Sequence, residues 1–317
     1  MNRREKMILG IDTSNYTTSA ALCTYDGEVV ANVKKPLPVK PGSRGLRQSD
    51  ALFYHTVQLP EVLEEIRAAL EGRPLAAVGY SKTPRDAEGS YMPCFLAGQA
   101  AAHAAACAAG VPLYGFSHQG GHVMAALYGA GRTELAEQTF AAFHVSGGTT
   151  EILLVRPDAD KVFSIEKIGG TLDLNAGQVI DRAGVMMGLS FPAGSAMEAA
   201  AADFFREIKP CRPSVKGLYC NLSGLENQAG QMFAKEQNTG VCAAFVLKSV
   251  LVTLQNLTEH LLAEHPGLPI IYAGGVMSCS YIRDALSSFG SFAAPAFSSD
   301  NGAGAALLAR WKYIKEV

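Results

Sequence analysis

Short apolar runs punctuated by polar turns give way to longer helical periodicities, and the order of these runs predicts one strand pattern used twice. Residues 7–12 form an apolar run ending in Asp12, a Ser/Thr-rich turn covers 13–18, and residues 19–24 form a second run. Asp26-Gly27 then turns the chain into a third strand over 28–33. Helical spacing predicts helices over 50–70 and 92–109, with strands at 76–80 and 111–114. The theme returns as a strand over 140–145, the turn Ser146-Gly147-Gly148-Thr149-Thr150, a strand over 151–155, a turn at Pro157-Asp158 and a strand over 161–168. Helices are expected over 175–188, 193–204 and 241–264. A strand over 269–273 runs into Gly274-Gly275, a further strand over 293–297 leads to Asp300, and helices start near 277 and 302. Residues 206–227, with Pro210 and Pro213, read as a loop-rich insertion and a candidate lid.

Strand, phosphate-sized turn, strand, turn, strand thus occurs twice, which predicts two α/β lobes. The division falls at 1–115 and 116–317, with the helical insertion in the second lobe and the last helix packing back on the first. The pattern resembles the two-lobed fold of actin, sugar kinases and the heat-shock chaperone ATPases, in which the two tips grip the phosphates of one nucleotide.

Composition narrows the class. With 317 residues and 48% hydrophobic content, the chain can bury two cores. The apolar stretch 100–113 is alanine-rich, interrupted by His103 and broken by Gly110 and Pro112, so it does not read as a membrane span. The basic start is followed by a strand-like run rather than a leader, which predicts a cytoplasmic protein with no membrane partner. Seven scattered cysteines with no CxxC pair argue against a disulfide framework or a thiolate zinc site. A net charge of −2 gives no global attraction to nucleic acid. Lys34, Lys35, Lys40, Arg44 and Arg47 form the one acid-free basic stretch, readable as an RNA contact or as a solvated loop.

Candidate chemistry concentrates at few positions. His118 and His122 follow Ser117, a good N-cap, so both rings leave one face of a helix's first turns. That spacing suits one metal ion, although a hydrogen-bonded histidine pair has the same signature, and Asp300 is a geometric candidate for a third ligand. The spacing is not HExxH, so zinc peptide hydrolysis lacks its glutamate base. Asp12 can hold a phosphate-bound Mg²⁺ or its water. Ser14, Thr17 and Thr18 can offer hydroxyls, and Ser146, Gly147 and Gly148 can offer backbone N–H groups to anionic oxygens. Gly274-Gly275 permits close approach of an adenine or ribose, and Asp181 and Glu198 read either as ribose ligands or as surface acids.

In chain order, GIDTS at Gly10, SHQGGH at Ser117, VSGGTT at Val145, AGQVIDRAGVMMGLSFPAG ending at Gly194, AGGV at Ala273 and SDNGA at Ser299 resemble the TsaD family of tRNA threonylcarbamoyladenosine synthases. The resemblance implies that His118, His122 and Asp300 hold one divalent metal, usually iron, with zinc or manganese acceptable to the same donors. It implies that His144, Val145, Ser146, Gly147 and Gly148 contact the substrate phosphate, with Asp181, Gly194 and Glu198 around ribose and base and Gly274, Gly275 and Cys279 completing the nucleotide site. Asp12 and Ser146 are the catalytic candidates. The implied reaction transfers a threonylcarbamoyl group from threonylcarbamoyl-AMP to the N6 amine of the adenine beside the tRNA anticodon. The implied cofactors are the metal and an adenine nucleotide with its Mg²⁺. The implied partners are tRNA, TsaB-like and TsaE-like proteins, or a second copy.

Departures from the family pattern bear on turnover. Asn15, Tyr16 and Thr17 replace a usual Cys-Asp-Glu, Thr149 replaces a histidine, Cys279 replaces an asparagine, and residues 83–94 lack a Gly-Pro-Gly-Leu turn. They leave open a paralogous nucleotide-dependent carbamoyltransferase, or a non-catalytic nucleotide-binding partner of a synthase.

Overall fold

The computed structural model describes residues 5–39, 46–298 and 302–317. They fall into two compact units: unit 1 comprises Met1–Tyr128, Pro157–Ser164 and Ser299–Val317, and unit 2 comprises Gly129–Arg156 and Ile165–Ser298.

Unit 1 begins with β1 (Met7–Asp12), β2 (Thr17–Thr24) and β3 (Val29–Pro36), a meander paired antiparallel, with Asp12 opposite Ser19. The helix α1 (Gln48–Leu70) leads to β4 (Leu75–Thr83), and α2 (Phe95–Ala109) leads to β5 (Leu113–Ser117), giving a five-stranded sheet of order β3-β2-β1-β4-β5. Every residue of β1 is buried, as a central strand covered on both faces requires, which is why its sequence is a continuous apolar run. The alanine-rich α2 stops where Gly110 takes a left-handed φ of 62° and returns its N–H to Ala106 and Cys107. From β5 the chain passes directly into α3 (His118–Gly129).

Unit 2 is built on β6 (Phe140–Val145), β7 (Thr150–Asp158) and β8 (Val162–Thr171), followed by α4 (Ala176–Met186) and α5 (Gly194–Ala201). A capping box between Asn175 and Gln178 starts α4. The chain continues through β9 (Ser214–Lys216), β10 (Tyr219–Asn221), α6 (Ser223–Glu236), α7 (Thr239–Glu264), β11 (Ile270–Ala273), α8 (Ser280–Leu286) and β12 (Ser291–Phe292). The sheet order is β12-β11-β6-β7-β8-β10-β9. By length and composition α7 could cross a membrane, but it is the central core helix of unit 2, with Phe245, Val250, Leu251, Leu254, Leu257 and Leu261 buried in a core shared with α4, α5, α6 and α8.

The chain then re-enters unit 1 as α9 (Ala303–Glu316), which lies on β1, β2 and β4 with its small residues inward. The approach is backbone to backbone: a Cβ at Gly10 would run into Gly302 and Ala306, and one at Gly79 into Ala305.

Three elements differ from the sequence expectation. Residues 206–227 are not loop throughout, since they include the β9–β10 hairpin, closed by the two-residue turn Gly217-Leu218, and the start of α6. The polar α6 buries only Leu225 and Ala229, too few positions to set a visible apolar stripe. The strand expected over 293–297 is the two-residue β12 followed by a single 3-10 turn, Pro295–Phe297, because Pro295 has no N–H for a ladder but suits a helical first position. The helix expected from 277 is a 3-10 turn, Gly275–Ser278, and α8 begins only at Ser280.

Candidate functional site

In unit 1, the end of β1 and the start of α3 bring three side chains together. Ser117 Oγ accepts the Gly120 N–H at 3.2 Å, the N-cap bond that starts α3, and its hydroxyl donates to Asp86. One turn apart on that helix, His118 and His122 place their Nε2 atoms 2.8 Å from each other. Asp12, buried at the end of β1, lies with Oδ2 2.7 Å from His118 Nδ1, and its Oδ1 accepts the Ser14 N–H at 2.7 Å. With a carboxylate on that side, His118 donates from Nδ1 and keeps the lone pair of Nε2, which faces His122. Ser14 Oγ and Asn15 Nδ2 each lie 3.4 Å from the same Nε2.

These residues fit a metal. Two imidazole nitrogens converge at a separation that ligands about 2.1 Å from one ion can adopt. One of them is oriented from behind by a carboxylate, the usual outer partner of a ligating histidine. Asp300 lies outside the described residues, among which no set of three His, Cys, Asp or Glu side chains is gathered for a metal. Asp12 is turned toward α3, with both oxygens engaged inside unit 1. Thr18, read from sequence as a hydroxyl for the tip, points instead into α1. Its Oγ1 donates to Gln58 Oε1 at 2.7 Å and lies 2.8 Å from His55 Nδ1. In the basic stretch, Lys40 and Arg44 lie outside the described residues, and Lys35 pairs with Glu61.

Unit 2 carries a cavity of about 280 Å³ that brings together Gly147, Asp181, Gly194, Glu198, Gly275 and Cys279. His144, Val145, Ser146, Gly148 and Gly274 do not line it. Val145 is wholly buried. Ser146 builds the turn: its N–H donates to Thr149 O at 2.7 Å, its Oγ accepts the Gly148 N–H at 3.3 Å, and its carbonyl accepts the Gly177 N–H of α4 at 3.2 Å. Gly274 holds a φ of 104°, and the place of its missing Cβ is taken by the Val145 carbonyl.

Two carboxylates border the cavity. Asp181 Oδ1 accepts the Ala193 N–H at 2.8 Å, which ties α4 to the entry of α5. Glu198 Oε1 accepts from the N–H and hydroxyl of Ser280. Burial, aided by the Glu198 charge, pushes the Cys279 thiol up to about 11, so it is a neutral thiol at neutral pH and not a nucleophile. Ile180, Leu247, Ser195 and Ser278 also line the cavity and were not singled out from sequence. Ser195 adjoins Gly194 and Ser278 adjoins Cys279, whereas Leu247 lies within α7, where a core leucine and a lining leucine look alike.

The family model for TsaD, tRNA N6-adenosine threonylcarbamoyltransferase, matches residues 31–307. A tRNA N6-adenosine threonylcarbamoyltransferase of Methanopyrus kandleri is 28% identical over 270 residues, covering 84% of this chain and 74% of the relative. One from Streptococcus pneumoniae is 28% identical over 300 residues, covering 90% of this chain and 84% of the relative. Among solved structures, component A of (R)-2-hydroxyglutaryl-CoA dehydratase from Acidaminococcus fermentans superposes with a TM-score of 0.55 at 16% identity, covering 98% of this chain and 99% of that one. Full-length HypF in its phosphate- and nucleotide-bound form gives 0.59 at 12% identity, covering 98% of this chain and 56% of that one. At these identities the structures speak for the fold alone, which is the actin-like ATPase fold.

Proposed function

Since this chain belongs to the TsaD family of tRNA N6-adenosine threonylcarbamoyltransferases, we propose that it moves a threonylcarbamoyl group from threonylcarbamoyl-AMP to the N6 amine of the adenine adjacent to the tRNA anticodon. The family match over residues 31–307 carries this reading. In the transfer, the N6 nitrogen bonds to the carbamoyl carbon, the bond from that carbon to the phosphate oxygen breaks, AMP departs and the amine gives up a proton.

His118 and His122, with Asp300, would hold one divalent ion, for which iron, zinc and manganese all suit imidazole and carboxylate donors. When bound, the ion supplies Lewis-acid polarisation of the carbamoyl carbonyl. Asp12 holds the Nδ1 proton of His118 and so keeps its Nε2 a donor of electrons to a metal. In unit 2, the Gly147 backbone suits a phosphate and Asp181 suits a ribose hydroxyl. The net charge of −2 leaves most of the tRNA affinity to partners such as TsaB-like and TsaE-like proteins, or to a second copy.

The test is mass spectrometry of tRNA nucleosides from a deletion strain that has no second family member. Threonylcarbamoyladenosine should disappear and return with the wild-type chain but not with His118→Ala. Normal levels in the deletion strain overturn the reading.

A further inference from the structure

The hairpin of β9 and β10 forms one edge of the unit 2 sheet, with Lys216 paired to Tyr219 and Ser214 to Asn221. Val215 and Cys220 pack into the core beside α7, so strand alternation leaves Ser214, Lys216, Tyr219 and Asn221 on the outer face. Tyr219 is 39% exposed, and among the described residues neither its hydroxyl nor the Lys216 ammonium has a partner. The stretch leading into β9 adds Arg206, Lys209 and Arg212, all exposed and likewise outside any ion pair, against the acids Asp203 and Glu207.

Both ends of this segment are fastened. From α7, Lys248 Nζ donates to the Phe205 carbonyl at 2.6 Å, and Ser249 Oγ accepts the Cys211 N–H at 2.9 Å. After β10, Asp173 Oδ1 accepts the Leu222 N–H at 2.7 Å, and its Oδ2 accepts the Ser223 hydroxyl at 2.6 Å and Asn221 Nδ2 at 3.2 Å. One row of the sheet then joins the outer face to the glycine turn. Val145 pairs with Thr150, Gly170 lies against the Thr150 carbonyl, Tyr219 pairs with Gly170, and Lys216 pairs with Tyr219. At about 4.8 Å per strand, Tyr219 stands roughly 10 Å from Thr150 and Lys216 roughly 15 Å. An RNA whose reacting adenine comes up to a nucleotide in the cavity passes its neighbouring nucleotides within that span. An edge lysine by itself guards a sheet against strand pairing, but that role needs neither the ring opposite it nor the cations before it.

We propose that the outer face of the β9–β10 hairpin holds the single-stranded loop of the tRNA substrate, with Arg212 and Lys216 on phosphates and Tyr219 under an unstacked base. The proposal rests on transfer to tRNA as the function. The face orients the loop, while the bulk of the affinity stays with partners.

The full chain is titrated with a fluorescently labelled anticodon stem-loop RNA at several salt concentrations. Wild type should bind at low salt, with log Kd rising linearly with log salt. The double variant Arg212→Ala/Lys216→Ala should bind at least about tenfold more weakly at low salt, with a salt slope smaller by about one to two. Tyr219→Ala should lose about tenfold with its slope unchanged, and Tyr219→Phe should stay within about twofold of wild type. Lys235→Ala, which removes an exposed lysine of α6 outside this face, should bind as wild type does. ATP affinity should stay at wild type throughout, because none of these side chains borders the cavity. Absence of RNA binding by wild type at low salt, an unchanged slope in the double variant, or an equal loss in Lys235→Ala overturns the proposal. Tyr219→Ala binding like wild type refutes the stacking contact. If the face binds RNA but the deletion strain keeps normal threonylcarbamoyladenosine, the RNA contact stands and the transfer reading falls.

Discussion

In unit 1 the candidate centre is made of side chains: two imidazoles on one helical turn and a buried carboxylate behind one of them. In unit 2 the cavity is bounded largely by backbone, through the Gly147 turn, the start of α5 and the strip after β11, with carboxylates that spend oxygens on neighbouring amides. The difference teaches where each site is vulnerable. A ligating side chain can be lost without disturbing the fold, whereas a cavity formed by close backbone approach fails when a Cβ is added.

The largest effect should come from removing a ligand. Elemental analysis of anaerobically purified protein is expected to find about one metal per chain in wild type and almost none in His118→Ala. Equal content in both would break the side-chain half of the comparison. Asp12→Asn keeps both imidazoles and alters only the group behind His118, so metal affinity measured by chelator competition should fall by about 10- to 100-fold. Gly274→Ala should cost about 2 kcal/mol in denaturant unfolding, since the residue sits at a φ of 104° with a carbonyl in the Cβ position. Its ATP affinity should fall while its metal content stays at wild type. Ser146→Ala, which leaves the turn amides in place, should change ATP affinity the least, by no more than about threefold.

Much of this was visible in the sequence, for physical reasons that differ by region. The meander of β1, β2 and β3 follows from apolar runs and the Asp26-Gly27 turn, and the α3 start from Ser117, because local rules fix them. The pairing of Asp12 with His118 spans 106 positions and has no local signature. The same holds for Glu198 and Ser280, whose relation exists only once α5 and α8 are packed. Thr18 misled for a related reason: a hydroxyl near a polar tip looks available, but strand alternation turned it toward His55 and Gln58. The helix α6 was hidden by its polarity. Asp300 remains a reading of sequence, as it lies outside the described residues.

The placement of α9 on β1 and β4 bears on how the chain is made. Its residues are translated after all of unit 2, yet they cover the sheet to which β1 belongs. While the ribosome is still extending unit 2, the face of β1 around Gly10 has no cover, and the earlier-encoded unit is the one left waiting. Chains truncated after residue 298 should therefore keep more protease resistance in unit 2 than in unit 1.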